Sequence, residues 1–313
     1  MALEQARMLM VPKPWGATDL LPWSEVAPTG TPIGEIWFQR RDPQAPTPVL
    51  LLKLLFTQEM LSIQVHPDNA MAQAMGLPHG KTEAWYVLSA TPEATVGVGL
   101  KSALTAAQLR SAIADGSIAE CVEWRKVSEG DVIFVPAGMI HAIGPGLVLA
   151  EIQQRSDTTF RLFDHGRDRE LHVEHAVAAA NAGPADDQAP PQRLSDVRTL
   201  LVSSPYFVLE RFILAAGSVW QLDAEQETWL VVIAGSARLG PSQAGIGEGC
   251  FIEAQTMRIE AGQHGLTCLV AYAAATPSHD LLRVLADCDA VAAALSPLPV
   301  PAVSPLSFKE ARP

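Results

Sequence analysis

No C-x-x-C pair occurs in this chain of 313 residues, and Cys121, Cys250, Cys268 and Cys288 are scattered along it. That suits a reduced cytosolic protein better than a disulfide framework or a thiolate metal site. Positive charge is also scarce: 22 Lys and Arg stand against 34 Asp and Glu, a formal net charge of −12. General binding to nucleic acid or to an anionic membrane is excluded on that balance, and an anionic substrate would need a local basic pocket. No apolar run is long enough to span a bilayer. The longest, Val49 to Phe56, is short and carries Lys53. Glu4 and Arg7 interrupt the stretch where a signal peptide would place its apolar core, and no A-x-A pattern follows. A cytoplasmic protein is the expectation.

What is present is burial and punctuation. Hydrophobic residues make up 48% of the chain and charged residues 18%, enough for one large or two ordinary domains. With 22 Gly and 24 Pro, the pattern is one of short strands and turns. The spacing predicts a mainly β chain. Residues 1–180 form a first domain, with a small helical insertion at about 102–124 capped by Thr105. A linker rich in Ala, Asp, Gln and Pro follows at 181–196, and 197–313 form a second, smaller all-β domain whose Pro-rich tail begins near Ser296. Lys53, inside an otherwise apolar strand, is expected to snorkel to a rim. His172 and His175, on a helix beginning near Glu170, are assigned to a solvated face, and His264 has no partner in sequence. His165 and Arg167 fall in a turn near Arg161 and could line a pocket rim.

One stretch does not read as ordinary surface. Leu61-Ser62-Ile63-Gln64-Val65-His66-Pro67 alternates apolar and polar residues, so as a strand it puts Ser62, Gln64 and His66 on one face. Gly80-Lys81-Thr82-Glu83-Ala84-Trp85-Tyr86 repeats the arrangement with Lys81, Glu83 and Trp85. Gln64, His66, Glu83 and the later His141 are all N or O donors. Such a set fits a catalytic divalent ion with an open position better than a closed structural site.

The surroundings of His141 carry a recognisable signature. Gly130 through Pro136, Gly138 and His141 fit G-x5-P-x-G-x2-H, the second cupin motif, although Pro145 stands where its terminal Asn would be. The first cupin motif is altered as well: its H-x-H becomes Gln64-x-His66, and Glu83 arrives late. These departures, together with Val135-Pro136-Ala137-Gly138, His141-Ala142-Ile143 and the block Glu151-Ile152-Gln153-Gln154-Arg155-Ser156-Asp157-Thr158-Thr159-Phe160-Arg161, resemble the type I mannose-6-phosphate isomerases in their short bacterial form. The matching elements run in order from about Trp15 to Val177, and beyond them the chain has only general cupin character.

The resemblance implies two cupin-like β-sandwich or barrel domains, the second free of metal, and one Zn2+ per chain held by Gln64, His66, Glu83 and His141. Ser62 and Lys81 match residues that engage the phosphate end of a phosphorylated sugar, Arg161 matches an active-site arginine, and Glu151 matches a carboxylate considered for proton transfer. The implied reaction interconverts mannose 6-phosphate and fructose 6-phosphate through a cis-enediol, in a monomer or homodimer. The base stays open at this point between Glu151, a Lys81 of depressed pKa and solvent activated by the ion. Two alternatives stand beside the isomerase: another cupin enzyme, either a sugar isomerase or a dioxygenase using Fe2+ or Mn2+, and a non-catalytic sugar-phosphate-binding regulator.

Overall fold

The computed structural model describes residues 2–25 and 30–285. The tail expected from Ser296 lies outside them. In chain order the first part contributes β1 (Ala2–Gln5), β2 (Arg7–Ala17), β3 (Ile33–Gln39), β4 (Leu50–Thr57), β5 (Ile63–Val65), α1 (Asn69–Ala74), β6 (Glu83–Ala90) and β7 (Thr95–Leu100). Next come α2 (Ala106–Asp115), α3 (Ile118–Cys121), β8 (Val122–Lys126), β9 (Val132–Val135), β10 (His141–Ile143), β11 (Leu147–Gln154), β12 (Phe160–Phe163) and α4 (Val173–Ala179). The second part holds β13 (Gln192–Arg193), β14 (Arg198–Ser203), β15 (Val208–Leu214), β16 (Val219–Ala224), β17 (Thr228–Leu239), β18 (Ser242–Ala244), β19 (Gly249–Glu253), β20 (Gln255–Tyr272) and β21 (Leu282–Val284).

The chain is mainly β, in three sheets, as the punctuation predicted. A six-stranded sheet has the order β2-β3-β4-β11-β6-β9 and faces a five-stranded sheet, β12-β5-β10-β7-β8. Both are antiparallel throughout. The third sheet carries the second part, and β1 joins it at the edge of β19, with Leu3 opposite Ile252.

Strand periodicity explains why β4 is buried along its whole length. Leu50, Leu52, Leu54 and Phe56 project into one apolar core with Ile36, Phe38, Ala84, Tyr86, Ala150 and Ile152. The same core contains Leu201, Phe207, Trp229 and Phe251 of the second part, so the two parts share it. The alternate residues of these strands face the opposite way, into the space between the six- and five-stranded sheets. That inner face carries Glu35 on β3, Lys53 on β4, Glu151 on β11 and Glu83 on β6. A second, separate core of the third sheet is built from residues such as Phe212, Leu230, Cys250 and Val270.

Thr105 caps α2 through a capping box with Gln108, and Gly116 ends it in the left-handed region, as its sequence signals predict. The helical stretch is shorter than expected. It stops at Cys121, and 122–124 enter β8, which is paired to β7. The helix carrying His175 begins at Val173, with His172 at its N-cap and not inside it. The long β20 contradicts the expectation of short strands, since it runs unbroken for 18 residues. Gly262 and Gly265 punctuate it, and pairing to β17 shifts register there without ending.

Candidate active site

Three ligand-type side chains meet between the two sheets: His66 beyond the end of β5, Glu83 at the start of β6 and His141 at the start of β10. Their donor atoms lie within 4.8 Å of one another, and all three residues are buried. His66 Nε2 is 3.5 Å from Glu83 Oε2 and His141 Nε2 is 3.4 Å from Glu83 Oε1. Those separations match the roughly 3.3–3.5 Å between neighbouring ligand atoms around a four-coordinate ion with bonds of about 2.0–2.1 Å.

Backbone carbonyls set the tautomers. His66 Nδ1 faces the Thr158 carbonyl at 2.9 Å, and His141 Nδ1 faces the Met139 carbonyl at 2.9 Å. A carbonyl accepts only, so each Nδ1 carries the proton and each Nε2 presents a lone pair inward. Two lone pairs then face a carboxylate whose Oε2 makes no well-angled hydrogen bond. Such a convergence of negative density draws a cation, a place the Lys81 ammonium takes here at 2.7 Å from Glu83 Oε2 and 2.9 Å from His66 Nε2, and carbonyl-held imidazoles are the usual outer support of a metal ligand. The donors fit a divalent ion.

The local sequence builds this arrangement. Gly138, at φ 87°, lies where a side chain would be strained, and its N–H donates to the His66 carbonyl at 2.9 Å. The turn that aims His141 is thereby tied to the strand that carries His66. A Cβ on Gly80 would come within 2.4 Å of the Asp68 carbonyl carbon. The close approach lets Lys81 N–H donate to the Pro67 carbonyl at 3.0 Å and brings its side chain inward. The Glu151–Arg161 block wraps the site: Gln153 donates to the Gln154 carbonyl, Thr158 holds His66, and Asp157, Thr159 and Arg161 line the cavity.

Gln64 is paired across the sheet with His141 on one side and Arg161 on the other. Its amide is 3.2 Å from His141 Nε2 and accepts from Ser62 Oγ at 3.2 Å. Turning the amide over would present its oxygen to the imidazole side. Lys81 Nζ stands 2.7 Å from Glu83 Oε2 and 2.9 Å from His66 Nε2, so it touches the ligand group itself.

Ser62, Gln64, Lys81, Glu151 and Arg161 all line one cavity of about 220 Å3 beside this group. Lys13, Glu35, Lys53 and Arg169 line it as well, and the sequence reading gave none of these four a place there. The sequence did contain a signal for Lys53, a charge inside an apolar run, but assigned it to a rim. Lys53 is instead 2% exposed, 3.3 Å from Glu151 and 3.9 Å from Glu35, with its ammonium 4.8 Å above the Trp37 ring. Arg169, rather than Arg167, reaches the cavity. Buried Asp164 receives both guanidiniums, Arg169 at 2.6 Å and Arg167 at 3.0 Å, and Arg167 turns away to Glu59. His175 stacks on Phe160, and His264 is exposed on β20.

Electrostatics sort the titratable groups. Burial and the adjacent Lys81 ammonium push the His66 pKa down to about 3, and burial likewise lowers His141. Burial alone would raise Glu83, but Lys81 and the imidazoles outweigh it and hold the carboxyl well below its usual range. Burial would lower Lys81, yet Glu83 and Glu151 outweigh it and the net direction is upward. That opposes the depressed Lys81 considered as a base. Glu151 is raised, chiefly by burial, with Glu83 adding to the shift and Lys53 opposing it. His66 therefore stays neutral far below the ordinary histidine range, and His141 is displaced in the same direction. Metal content measured after dialysis should be unchanged between pH 7 and pH 5.5, and marked loss within that window would show that protons reach the ligand imidazoles readily.

No family model matches the chain. Similarity to known proteins is nevertheless extensive. The mannose-6-phosphate isomerase of Streptococcus mutans is 36% identical over 222 residues, covering 67% of this chain and 70% of that protein. Mannose-6-phosphate isomerase ManA of Bacillus subtilis is 32% identical over 202 residues, covering 61% of this chain and 63% of that one. The crystal structure of a Bacillus subtilis mannose 6-phosphate isomerase superposes with a TM-score of 0.76 at 24% identity, over 87% of this chain and all of the other, so the cupin fold is shared. With that identity spread over two thirds of both sequences, the chain belongs to the mannose-6-phosphate isomerase family.

Proposed function

We propose that this protein interconverts mannose 6-phosphate and fructose 6-phosphate, with one zinc ion per chain held by His66, Glu83 and His141 and adjoined by Gln64. The observation that carries the reading is the pair of imidazoles locked with Nε2 inward around Glu83, opening onto a cavity that holds a raised carboxyl and several cations. The ion, when bound, would supply an electrophile that polarises the sugar carbonyl and steadies the enediolate charge.

The chain supplies the rest. The aldose-to-ketose direction removes the proton from C2 and returns one to C1 while the hydroxyl proton passes from O2 to O1, and Glu151 is the carboxylate proposed to take and return the carbon-bound one. Its buried Oε1 faces the Lys53 ammonium at 3.3 Å without a well-angled hydrogen bond, a loose pairing with which an incoming proton can compete. Burial keeps the carboxyl basic enough to accept a carbon-bound proton and release it again. Lys81, Ser62 and Arg161 offer donors to the sugar phosphate and hydroxyls, and Arg169 adds a second guanidinium held in place by Asp164. These cations offset the global −12 where the substrate enters.

The reading also takes residues 1–180 as the catalytic unit, since every residue named for the site precedes Ala180, and 181–196 as the join to 197–313. It places the enzyme in the cytoplasm. The cationic cavity and the Gln64 amide beside His141 favour an isomerase over a dioxygenase, which would leave those cations without a task.

A coupled assay for fructose 6-phosphate, run before and after chelation and again after zinc is restored, tests the activity. No turnover with metal restored would reject the isomerase. Metal analysis of protein purified without added metal separates zinc from iron and manganese. Lys81→Ala should raise KM for the phosphorylated sugar by about 10–100-fold, the loss of one charge-assisted bond, while metal content stays near one per chain. Equal KM would remove Lys81 from the anchor.

A further inference from the structure

On the inner face of the six-stranded sheet, beyond Glu151, lies a row of buried charges that the reaction outlined above does not use. Lys53 is the direct cross-strand partner of both Glu151 and Trp37, while Glu35 sits one inner-face position further along, opposite Leu55. The Lys53 ammonium lies between two carboxylates, 3.3 Å from Glu151 and 3.9 Å from Glu35. Both oxygens of Glu35 are engaged, Oε1 by Lys13 Nζ at 3.3 Å and Oε2 by Trp37 Nε1 at 2.6 Å. A charge sequence Lys13, Glu35, Lys53, Glu151 thus runs along one wall of the cavity, with Lys13 at its open end.

A single buried cation facing a single buried carboxylate would lock onto it in a tight pair, and the carboxylate would lose basicity. Here the cation is shared. We infer that Glu35 is a positioning residue: by drawing the Lys53 ammonium partly to itself, it keeps Glu151 loosely paired and available as a proton acceptor. The inference rests on the reading of Glu151 as the proton-transferring group. The other charges facing Glu151 are Lys81 and Glu83 from the approach to and start of β6, and, around the same cavity, Asp157, Arg161 and Arg169. A change at Glu35 makes no new contact with these groups, though the Lys81 ammonium feels the Glu35 charge, and Glu35 itself lies away from the ligand residues. The direction of the field agrees, since Glu35 and Glu83 push the Glu151 carboxyl upward while Lys53 pulls it down.

The test is the acid limb of the kcat profile in zinc-loaded enzyme, read together with infrared titration of the Glu151 carboxyl in substrate-free protein, assigned by its absence in Glu151→Gln. Glu35→Gln keeps an acceptor for Trp37 but releases Lys53 to Glu151. Limb and carboxyl band should both move to lower pH by about 0.5–1 unit, the scale of one charge at this range. Glu35→Asp, which retains the charge, should restore most of the wild-type position. Lys13→Met frees more of the Glu35 charge for Lys53 and should move both signals the other way, so the test survives even if Glu35→Gln folds poorly. Unmoved signals in Glu35→Gln and Lys13→Met overturn the inference, as does a shift of the same sign in both. If instead Glu151→Gln retains turnover within about tenfold, the reading of Glu151 fails, and the infrared titration still decides whether Glu35 tunes that carboxyl.

Discussion

Glu151→Gln should lower kcat by about 10²–10⁴-fold, the usual contribution of a positioned general base, while metal content and KM change little. The amide keeps the shape of the side chain and its place opposite Lys53 and Trp85 but can accept no proton. Exchange of solvent deuterium into the C2 position of the aldose gives an independent reading, because a lost base stops exchange as well as net conversion. Glu151 holds this role over Lys81 on two grounds. Lys81 is engaged by Glu83 Oε2 and His66 Nε2 and its pKa is raised, whereas burial raises the Glu151 carboxyl above the ordinary carboxylate value and so favours proton uptake. Retained turnover and exchange in Glu151→Gln would move the proton transfer to another group.

His141→Ala should abolish both metal retention and turnover. It removes one of only two imidazoles in the ligand group and leaves Glu83 and His66 to hold a divalent ion alone. The electrophilic contribution of such an ion is worth several kcal/mol, so the loss in rate should be about a thousandfold or more. Metal analysis after gel filtration separates this from misfolding, since Ile140 and Ala142 on either side stay in their core. A variant that keeps stoichiometric metal and wild-type rate would show that the ion binds elsewhere. The two variants differ in kind: His141→Ala loses the ion, and Glu151→Gln keeps it.

The site was legible in the sequence wherever residue type and local spacing carried the information. Ser62, Gln64 and His66 were found by alternation, Glu83 and Lys81 by a second polar segment, and His141 by a turn whose Gly138 does adopt φ 87°. The fold class followed from Gly and Pro punctuation and from apolar runs. What escaped depends on pairing between distant strands. Lys53 looks like a stray charge until β4 lies beside β11 and β3, when it stands between Glu151 and Trp37. Lys13 and Glu35 lie far from the motif segments and become part of the cavity wall only through the order β2-β3-β4-β11. Arg169 was missed because both guanidiniums bind Asp164 and what separates them is Glu59, distant in sequence, which takes only Arg167. The extra length of β20 was hidden by glycines that bend a strand without ending it.

The pairing of β1 with β19 gives the molecule a laced construction. The chain starts in the third sheet, crosses at Ala6 into the six-stranded sheet, and returns to the third sheet only after α4. Cutting the linker at 181–196 would therefore not free two complete units. A fragment beginning at 197 would lack the strand that covers β19, and it would expose both the Trp229 and Phe251 surface and an unpaired sheet edge. Unpaired edges beside apolar surface invite strand-to-strand association between copies. In a growing chain, β1 must wait for β19 before its hydrogen bonds can form. Expression of the second part alone should accordingly favour insoluble material, and fusing a peptide covering residues 2–5 to its start should help only in part, because it caps the β19 edge and leaves the Trp229 and Phe251 surface bare.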